Sequence, residues 1–416
     1  MRTVSLKHNF LRVLTNGVFV GILNLLSTIY FSRLIGPSET GKYALITALV
    51  EFGTLFLNFG FNQYLIKKPA DQKVTDAAFT LIGIQSIMII VLTFIIFFCI
   101  SQFSTKYKII DITFLPSLMA LVIARIAAFY TTFYYSYYEV KFNYHIINKF
   151  RNISVVTAIL LSYLAGIYFI KNANLFIIRD FLMSTIFLVF IFRNKQISGR
   201  WTLEKEYLRE VFLFSKKNLF LIIQERIIQK GDQLIVGVFL GKEILGVYFV
   251  LKNLFDGFLN FLTAPIQTVM FSYFIHENIR FKMVTYIKKY FIPVTIGVLL
   301  IVGCVWKINF AALLSFIYGK GFKFSNTAIL FFILYSYFIL AFEVMKIYSV
   351  SMDRQIIPIR ARLVQILYFF PCMFIALKGG FEIPGLAFTH FSSYLLLVFT
   401  CYYFLFVKKQ NVPVTV

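Results

Sequence analysis

Ten ionisable side chains lie deep inside apolar runs of this 416-residue chain: Arg125, Arg226, Lys230, Lys252 and Lys346, against Glu51, Glu225, Asp232, Asp256 and Glu343. Each would cost about 2.5–3.5 kcal/mol facing lipid at mid-bilayer. Ten such costs exceed the ~5–15 kcal/mol by which folded chains are stable. These groups must therefore face one another or a wet cavity. The chemistry open to them is the holding and passing of ions. Cations can grip phosphate or carboxylate groups, and acids can carry a proton or a sodium ion.

Spacing groups them. Lys252, Asp256 and Asn260 recur at i, i+4 and i+8, one polar stripe on an apolar helix. Glu51, Asn58 and Asn62 share a face of another run, and Asn9, Asn16 and Asn24 roughly share a third, with Arg12 at its end. Gln224, Glu225, Arg226, Gln229, Lys230, Asp232 and Gln233 cover too wide an arc for lipid exposure. Arg226 and Lys230 sit on one stripe, where like charges repel unless acids or a bound anion compensate. The alternative for any one of these residues is a structural ion pair: Lys252–Asp256 and Glu343–Lys346 could each close within one helix.

The elements that must position these groups are membrane spans. The chain is 59% hydrophobic and 14% charged, against roughly 45–50% apolar in soluble domains. Twelve runs are long enough to cross a bilayer: 9–31, 42–66, 76–102, 112–138, 153–170, 175–192, 211–240, 244–273, 286–306, 326–350, 359–377 and 384–407. No small-residue cleavage site precedes Arg33, so the first run reads as a span rather than a cleavable signal. With both termini cytoplasmic, the inner segments hold 25 Lys and Arg and the outer ones 11, Arg179 among the latter. That bias sets the orientation. It also accounts for most of the +23 net charge, so nucleic acid is not implied as a partner. Arg12, Lys216, Lys217 and Arg226 all approach the cytoplasmic half, and with Arg125, Lys230 and Lys252 they are the candidate substrate-binding cations. Glu51, Asp232, Asp256 and Glu343 are the candidate coupling acids.

One phrase occurs twice. L-I-G-P-S-E-T-G-K-Y (Leu34 to Tyr43) returns as F-L-G-K-E-I-L-G-V-Y (Phe239 to Tyr248), an offset of 205 residues. Gly36, Gly41 and Tyr43 become Gly241, Gly246 and Tyr248, and Glu51 falls on Asp256. The spacing predicts two related halves: an N-terminal lobe over 1–195 with six spans, and a C-terminal lobe over 196–416 with six more. An even span number per half makes the repeat parallel, and such halves rock about a central path in transporters. Between them, 193–210 predicts a short amphipathic helix on the inner leaflet, with Trp201, Leu203, Tyr207 and Leu208 to one side.

Several signals lead elsewhere or nowhere. Gly36 to Lys42 satisfies G-x-x-x-x-G-K, the start of a phosphate loop. Tyr43 then stands where Ser or Thr is needed, the repeat copy has Val247 for the lysine, and the loop is on the outer face. The four glycines read instead as structural turn residues. The cysteines (Cys99, Cys304, Cys372, Cys401) sit singly, with no metal-ligand spacing. His390 reads as a helix–helix hydrogen-bonding group. The tyrosines Tyr130, Tyr134, Tyr135, Tyr137, Tyr138 and Tyr144 read as an interfacial belt, with a stacking platform for sugar rings as the sharper alternative. Outer connections are short, which disfavours a membrane-embedded polymerase or glycosyltransferase, and no cofactor or metal is expected.

Taken together, the basic start leading into an Asn-dotted first span, the L-x-G-x4-G-x-Y turn, the acid Glu51 and its echo Asp256 resemble the Wzx-type flippases. These are O-antigen and polysaccharide-repeat-unit translocases of the multidrug/oligosaccharidyl-lipid/polysaccharide exporter superfamily. G-D-Q-L-I-V-G-V-F-L-G (Gly231 to Gly241) is similar to that family's Asp nine residues before the turn glycine. The resemblance implies an all-α polytopic fold of about twelve helices in two lobes around a cavity, with no enzymatic activity. It also implies a bacterial inner-membrane location and a role in O-antigen, lipopolysaccharide or other polysaccharide biosynthesis. The implied cargo is an undecaprenyl-diphosphate-linked oligosaccharide, with membrane lipid as a partner and a polymerase or chain-length machinery as candidate partners. A multidrug or cation exporter of the same fold is the alternative.

Overall fold

The computed structural model describes residues 6–54, 72–107, 115–140, 144–193, 200–202, 204–265, 295–298, 300, 302–305, 307–319, 321–351 and 354–407. The helices are α1 Leu6–Gly53, α2 Gln72–Tyr107, α3 Leu115–Val140, α4 Tyr144–Tyr168, α5 Asn174–Arg193, α6 Lys205–Phe239, α7 Gly241–Pro265, α8 Phe310–Tyr318, α9 Asn326–Ser351, α10 Ile356–Lys378 and α11 Glu382–Tyr402. A π-helical turn, Tyr403–Val407, follows the last. There is no strand among the described residues. Eight of these helices (α1 to α5 and α9 to α11) are long and apolar enough to cross a membrane, or nine spans if Thr295–Val305 with Phe310–Tyr318 counts as one broken span.

The difference from twelve is accounted for span by span. α1 holds the first expected span and the described part of the second, joined at Gly36, while residues 55–66 of the second lie outside the described residues. α6 occupies the expected span 211–240 and α7 the described part, 244–265, of the next, but they carry Arg226, Lys230, Asp232, Lys252 and Asp256. Residues 286–294 of the ninth expected span lie outside the described residues. Large apolar side chains such as Leu161, Val189, Leu367 and Ile375 stand exposed along the helices. In water that pattern would drive aggregation, whereas in hydrocarbon it is what a span's outer face must be. The chain is a multi-pass α-helical membrane protein.

The residues pack as two compact units. The first is Met1–Gly257 with Leu314–Lys323, and the second is Phe258–Leu313 with Phe324–Val416. In the second, α11 packs against both α9 and α10. Arg362 of α10 is 2% exposed, its guanidinium 4.4 Å from the Phe342 ring centre and 5.1 Å from that of Tyr394, and it donates to Gln365 Oε1 at 2.7 Å. The ring of His390 sits 4.9 Å from Phe369 and 5.2 Å from Tyr335. It thus joins α10 and α9 through aromatic contact.

In the first unit, Val74, Ala77, Ala78 and Ile82 of α2 bury against Phe133, Tyr134, Ile191 and Val211, with Tyr130, Tyr207 and Leu208 packed on them. Two consequences differ from expectation. Tyr134 is core rather than part of an interfacial belt, and the side chains of Tyr137, Tyr138 and Tyr144 lie outside the described residues. Nor is there a separate surface helix at Tyr207 and Leu208, because α6 starts at Lys205 and runs unbroken to Phe239. Leu203 lies outside the described residues. Trp201 is non-helical, its ring against Gly83 and edge-on to Phe79.

The repeated phrase is the centre of this unit. Gly36 (φ +80°) and Gly241 (φ +84°) both adopt left-handed backbone, which glycine alone enters freely. The chain resumes as helix at once, with Pro37 suited to a first helical position. Gly41 and Gly246, expected as turn residues, are instead inside helices. A Cβ on Gly41 would lie 1.8 Å from the Lys242 carbonyl oxygen, and one on Gly246 would lie 1.9 Å from the Pro37 carbonyl oxygen. The two copies of the phrase therefore lie against each other reciprocally, backbone to backbone. This also excludes a phosphate cradle at Gly36 to Lys42, since the segment is helical and its second glycine is in contact with protein.

Candidate functional site

Glu51, on the second arm of α1, is the hub of the ionised side chains. Arg125 of α3 pairs with its Oε1. Arg226 Nη1 lies 2.9 Å and Lys230 Nζ 3.3 Å from its Oε2. Both come from α6, one turn apart, so the i, i+4 repulsion expected between them is relieved by a shared carboxylate. One acid cannot neutralise three cations, and the cluster keeps a formal charge of +2. The exposure is graded: the Glu51 side chain is 10% exposed, those of Lys230, Arg125 and Arg226 14%, 32% and 40%. The carboxylate is thus a buried floor, and the face offered outward is cationic. Such an arrangement can accept a polyanion with guanidinium hydrogen bonds, which are strong and directional toward phosphate oxygens.

A second network lies on α6 and α7. Lys252 pairs with Asp232, and both side chains are almost fully buried, at 2% and 0% exposed. The Tyr248 hydroxyl donates to the same carboxylate, and Lys252 also donates to the Gln229 carbonyl oxygen at 3.0 Å. The within-helix pair Lys252–Asp256 is therefore corrected: Lys252 reaches across to Asp232, because a buried carboxylate without a counter-charge would cost far more than a half-exposed one. Asp256 is half-buried on the same helix. Glu343–Lys346 does close within α9, at 2.6 Å, in the second compact unit.

A third network had no counterpart in the sequence reading. Arg179, counted with the outer charges near the start of the expected span 175–192, belongs to α5, where its side chain is 10% exposed. Its guanidinium pairs with Asp180 at 2.8 Å and donates to Ser27 Oγ and Thr28 Oγ1 at 3.2 and 3.3 Å. The Tyr43 hydroxyl donates to Asp180 as well. Tyr43 is the repeat partner of Tyr248, so each copy of the phrase ends in a tyrosine held by a carboxylate that also holds a cation. The signal that could have found it was the tyrosine itself, a hydroxyl at span depth that needs an acceptor.

Of the other residues expected at the site, Gln233 donates its backbone N–H to Asp232 Oδ1 at 2.6 Å and Gln229 donates its amide to Glu225 Oε1 at 3.2 Å. Lys216 is exposed on α6, while the side chains of Arg12, Lys217, Asn9, Asn58, Asn62 and Asn260 lie outside the described residues. Asn16 and Asn24 are half-buried on the first arm of α1.

Many spans, a reciprocally packed repeat and ionised groups gathered inside define a multi-pass α-helical membrane protein with a charged interior. The chain belongs to the polysaccharide biosynthesis protein family, whose profile matches residues 30–288. No curated protein matches it in sequence. In fold it is similar to the Vibrio cholerae MATE transporter VcmN in its bent form, with a TM-score of 0.62, 10% identity and 96% of each chain covered. The eukaryotic MATE transporter AtDTX14 gives 0.61 at 12% identity, over 96% of this chain and 97% of that one. The lipid II flippase MurJ in an inward closed conformation gives 0.60 at 13% identity, over 94% and 87%.

Proposed function

We propose that this protein flips undecaprenyl-diphosphate-linked oligosaccharides, the repeat units of O-antigen or another surface polysaccharide, across the bacterial inner membrane by alternating access between two repeat-related lobes, with both termini cytoplasmic. The observation that carries the reading is the +2 cluster of Arg125, Arg226 and Lys230 over Glu51. A diphosphate brings negative charge and several acceptor oxygens, and needs cations that are positioned yet only partly neutralised. Membership of the polysaccharide biosynthesis family supports the cargo class, and likeness to a lipid II flippase supports the fold's use for it. Arg12, Lys216 and Lys217 serve as the cytoplasmic approach, while Lys252 belongs to the wall.

Coupling to a proton or sodium gradient is assigned to the acids Glu51, Asp232, Asp256 and Glu343. Glu51 is the best placed, because its charge decides how strongly the cluster holds an anion. Complementation in a strain lacking its own flippase tests the reading. Arg125→Gln with Arg226→Gln, at matched membrane levels, is expected to cut surface polysaccharide by about tenfold or more, as loss of paired guanidinium contacts should. Polysaccharide restored to the wild-type level by that double variant would sink the proposal. The second reading, export of drugs or cations, is favoured only by the fold's likeness to MATE transporters. It predicts restored drug resistance without restored polysaccharide.

A further inference from the structure

A separate cavity of about 300 Å³ opens within the first compact unit, among the first arm of α1, α3, α4 and α5. That is the lower end of the size range of small-molecule pockets, about 300–1,000 Å³. Its polar wall comprises Asn24, Thr131, Thr132, Tyr135, Arg151, Ser154 and Ser184, and the lining contains one cation and no acid. The Arg151 guanidinium has no ion pair or hydrogen bond among the described residues. The hydroxyls of Thr131, Thr132 and Ser154 donate to carbonyls of their own helices, at 2.9, 2.6 and 2.7 Å. Their oxygens are thereby turned into acceptors at the wall. A cavity built only for packing would be lined by apolar groups throughout, since each polar atom in a dry wall costs free energy, whereas seven of the twelve residues around this one are polar.

We infer that this cavity is a binding subsite for a carboxylate-bearing sugar, a hexuronate-type residue. A single unpaired guanidinium matches the single charge of a carboxylate and its two oxygens. The acceptor oxygens and the Asn24 amide match ring hydroxyls. Position along α3 adds to this: Ala128, Thr132 and Tyr135 of the cavity follow Arg125 at i+3, i+7 and i+10, on one stripe. At about 1.5 Å per residue, the subsite extends from roughly 4.5 to 15 Å along the helix from a cation of the diphosphate cluster. A sugar linked to a diphosphate held at Glu51 would therefore lie at the subsite's mouth. The inference rests on the flippase reading and narrows its cargo to oligosaccharides that carry an acidic sugar.

The test uses the full chain in nanodiscs and three probes: D-glucuronate, D-glucose and inorganic pyrophosphate. Glucuronate is expected to bind at least about tenfold more tightly than glucose, and Arg151→Gln to weaken glucuronate by about tenfold or more. Equal binding of glucose, or an unchanged glucuronate affinity in Arg151→Gln, overturns the subsite. Should Arg151→Gln fail to fold, Ser184→Cys in a background with the four native cysteines replaced by Ser takes its place. Glucuronate, and not glucose, must then slow thiol labelling; labelling unaffected by glucuronate overturns the subsite equally. Pyrophosphate reads the Glu51 cluster independently. Pyrophosphate bound without glucuronate refutes the acidic-sugar subsite and leaves the flippase reading standing. Glucuronate bound without pyrophosphate supports the subsite and refutes the diphosphate reading on which the wider function rests.

Discussion

The two copies of the repeated phrase solve one problem with different residues. After Gly241, the hydroxyl of Tyr248 meets Asp232, and Lys252 completes a trio drawn from α6 and α7 alone. After Gly36, the equivalent Tyr43 meets Asp180, and Arg179 completes the trio from α5. The position equivalent to Asp232 in the first half is Ser27, and the position equivalent to Lys252 is Thr47. Ser27 still takes part, but as an acceptor for Arg179. A tyrosine held by a carboxylate and a cation has thus been kept, while the helices that supply the charges have changed. The acids downstream diverge too. Glu51 gathers three cations, whereas Asp256 has lost the nearest lysine on its own helix to Asp232. The acid after the first copy is left to organise a charged surface, and the trio at the second copy is closed and neutral.

The sharpest way to break this comparison is to remove one cation from each trio. Asp232 is 0% exposed while Asp180 is 23% exposed. Lys252→Met therefore strands a fully buried carboxylate and is expected to cost about 3–5 kcal/mol. Arg179→Met is expected to cost less, because water reaches Asp180. Denaturant unfolding of the purified protein in detergent reads both. Combining Lys252→Met with Asp232→Asn is expected to recover most of the loss, since no uncompensated charge is left. A single Lys252→Met as mild as Arg179→Met would show that the closed trio is not a stabilising unit.

Next in size are the glycines that bring the two copies together. Gly41→Ala and Gly246→Ala each place a methyl within 2 Å of a backbone carbonyl oxygen from the other copy. Backbone cannot swing aside as a side chain can, so a loss of about 3 kcal/mol or more is expected for each. Because the contact is reciprocal, the double variant is expected to cost less than the sum: the first methyl already pushes the helices apart. Strict additivity would mean that the two contacts are independent and that the reciprocal packing is incidental. Gly36→Ala acts differently. It meets open space and fails only through its +80° φ, at a cost of about 1–3 kcal/mol.

What the sequence made legible follows from this physics. The repeat could be read because left-handed turns and backbone-to-backbone contact each demand glycine, and Gly36, Gly41, Gly241 and Gly246 supply it at the same spacing. The gathering of charges could be read because lipid excludes them. The identity of each partner could not. Helical period places Lys252 beside Asp256, but burial on a neighbouring helix favoured Asp232. Arg179 counted with the outer charges because it is only the sixth residue of α5, and its acceptors Ser27 and Thr28 are some 150 positions away. Tyr207 and Leu208 gave an amphipathic pattern that suits a membrane surface as well as it suits the foot of a span, and only the packing of α2 chose between them. One helix's sequence reports that a face is polar, while the face it meets is written elsewhere in the chain.

The smallest expected effect is also the most direct probe of the shared device. Tyr43→Phe and Tyr248→Phe each delete one hydroxyl donated to a carboxylate, without changing charge or ring packing. Loss of a hydrogen bond to a charged acceptor is worth about 1.5–3 kcal/mol. Tyr43→Phe should fall at the low end, because Asp180 keeps Arg179 and access to water, and because stacking of the Tyr43 ring on Phe176, 4.6 Å between centres, is retained. Tyr248→Phe should fall at the high end, since the Asp232 carboxylate would lose one of its few donors in a site closed to solvent. Measured by unfolding in detergent, Tyr248→Phe is expected to exceed Tyr43→Phe. Equal losses would mean that hydroxyl geometry, and not the burial of the carboxylate, sets the strength of both trios, and the contrast between an open first half and a closed second half would then reduce to a difference in which helix carries the charge.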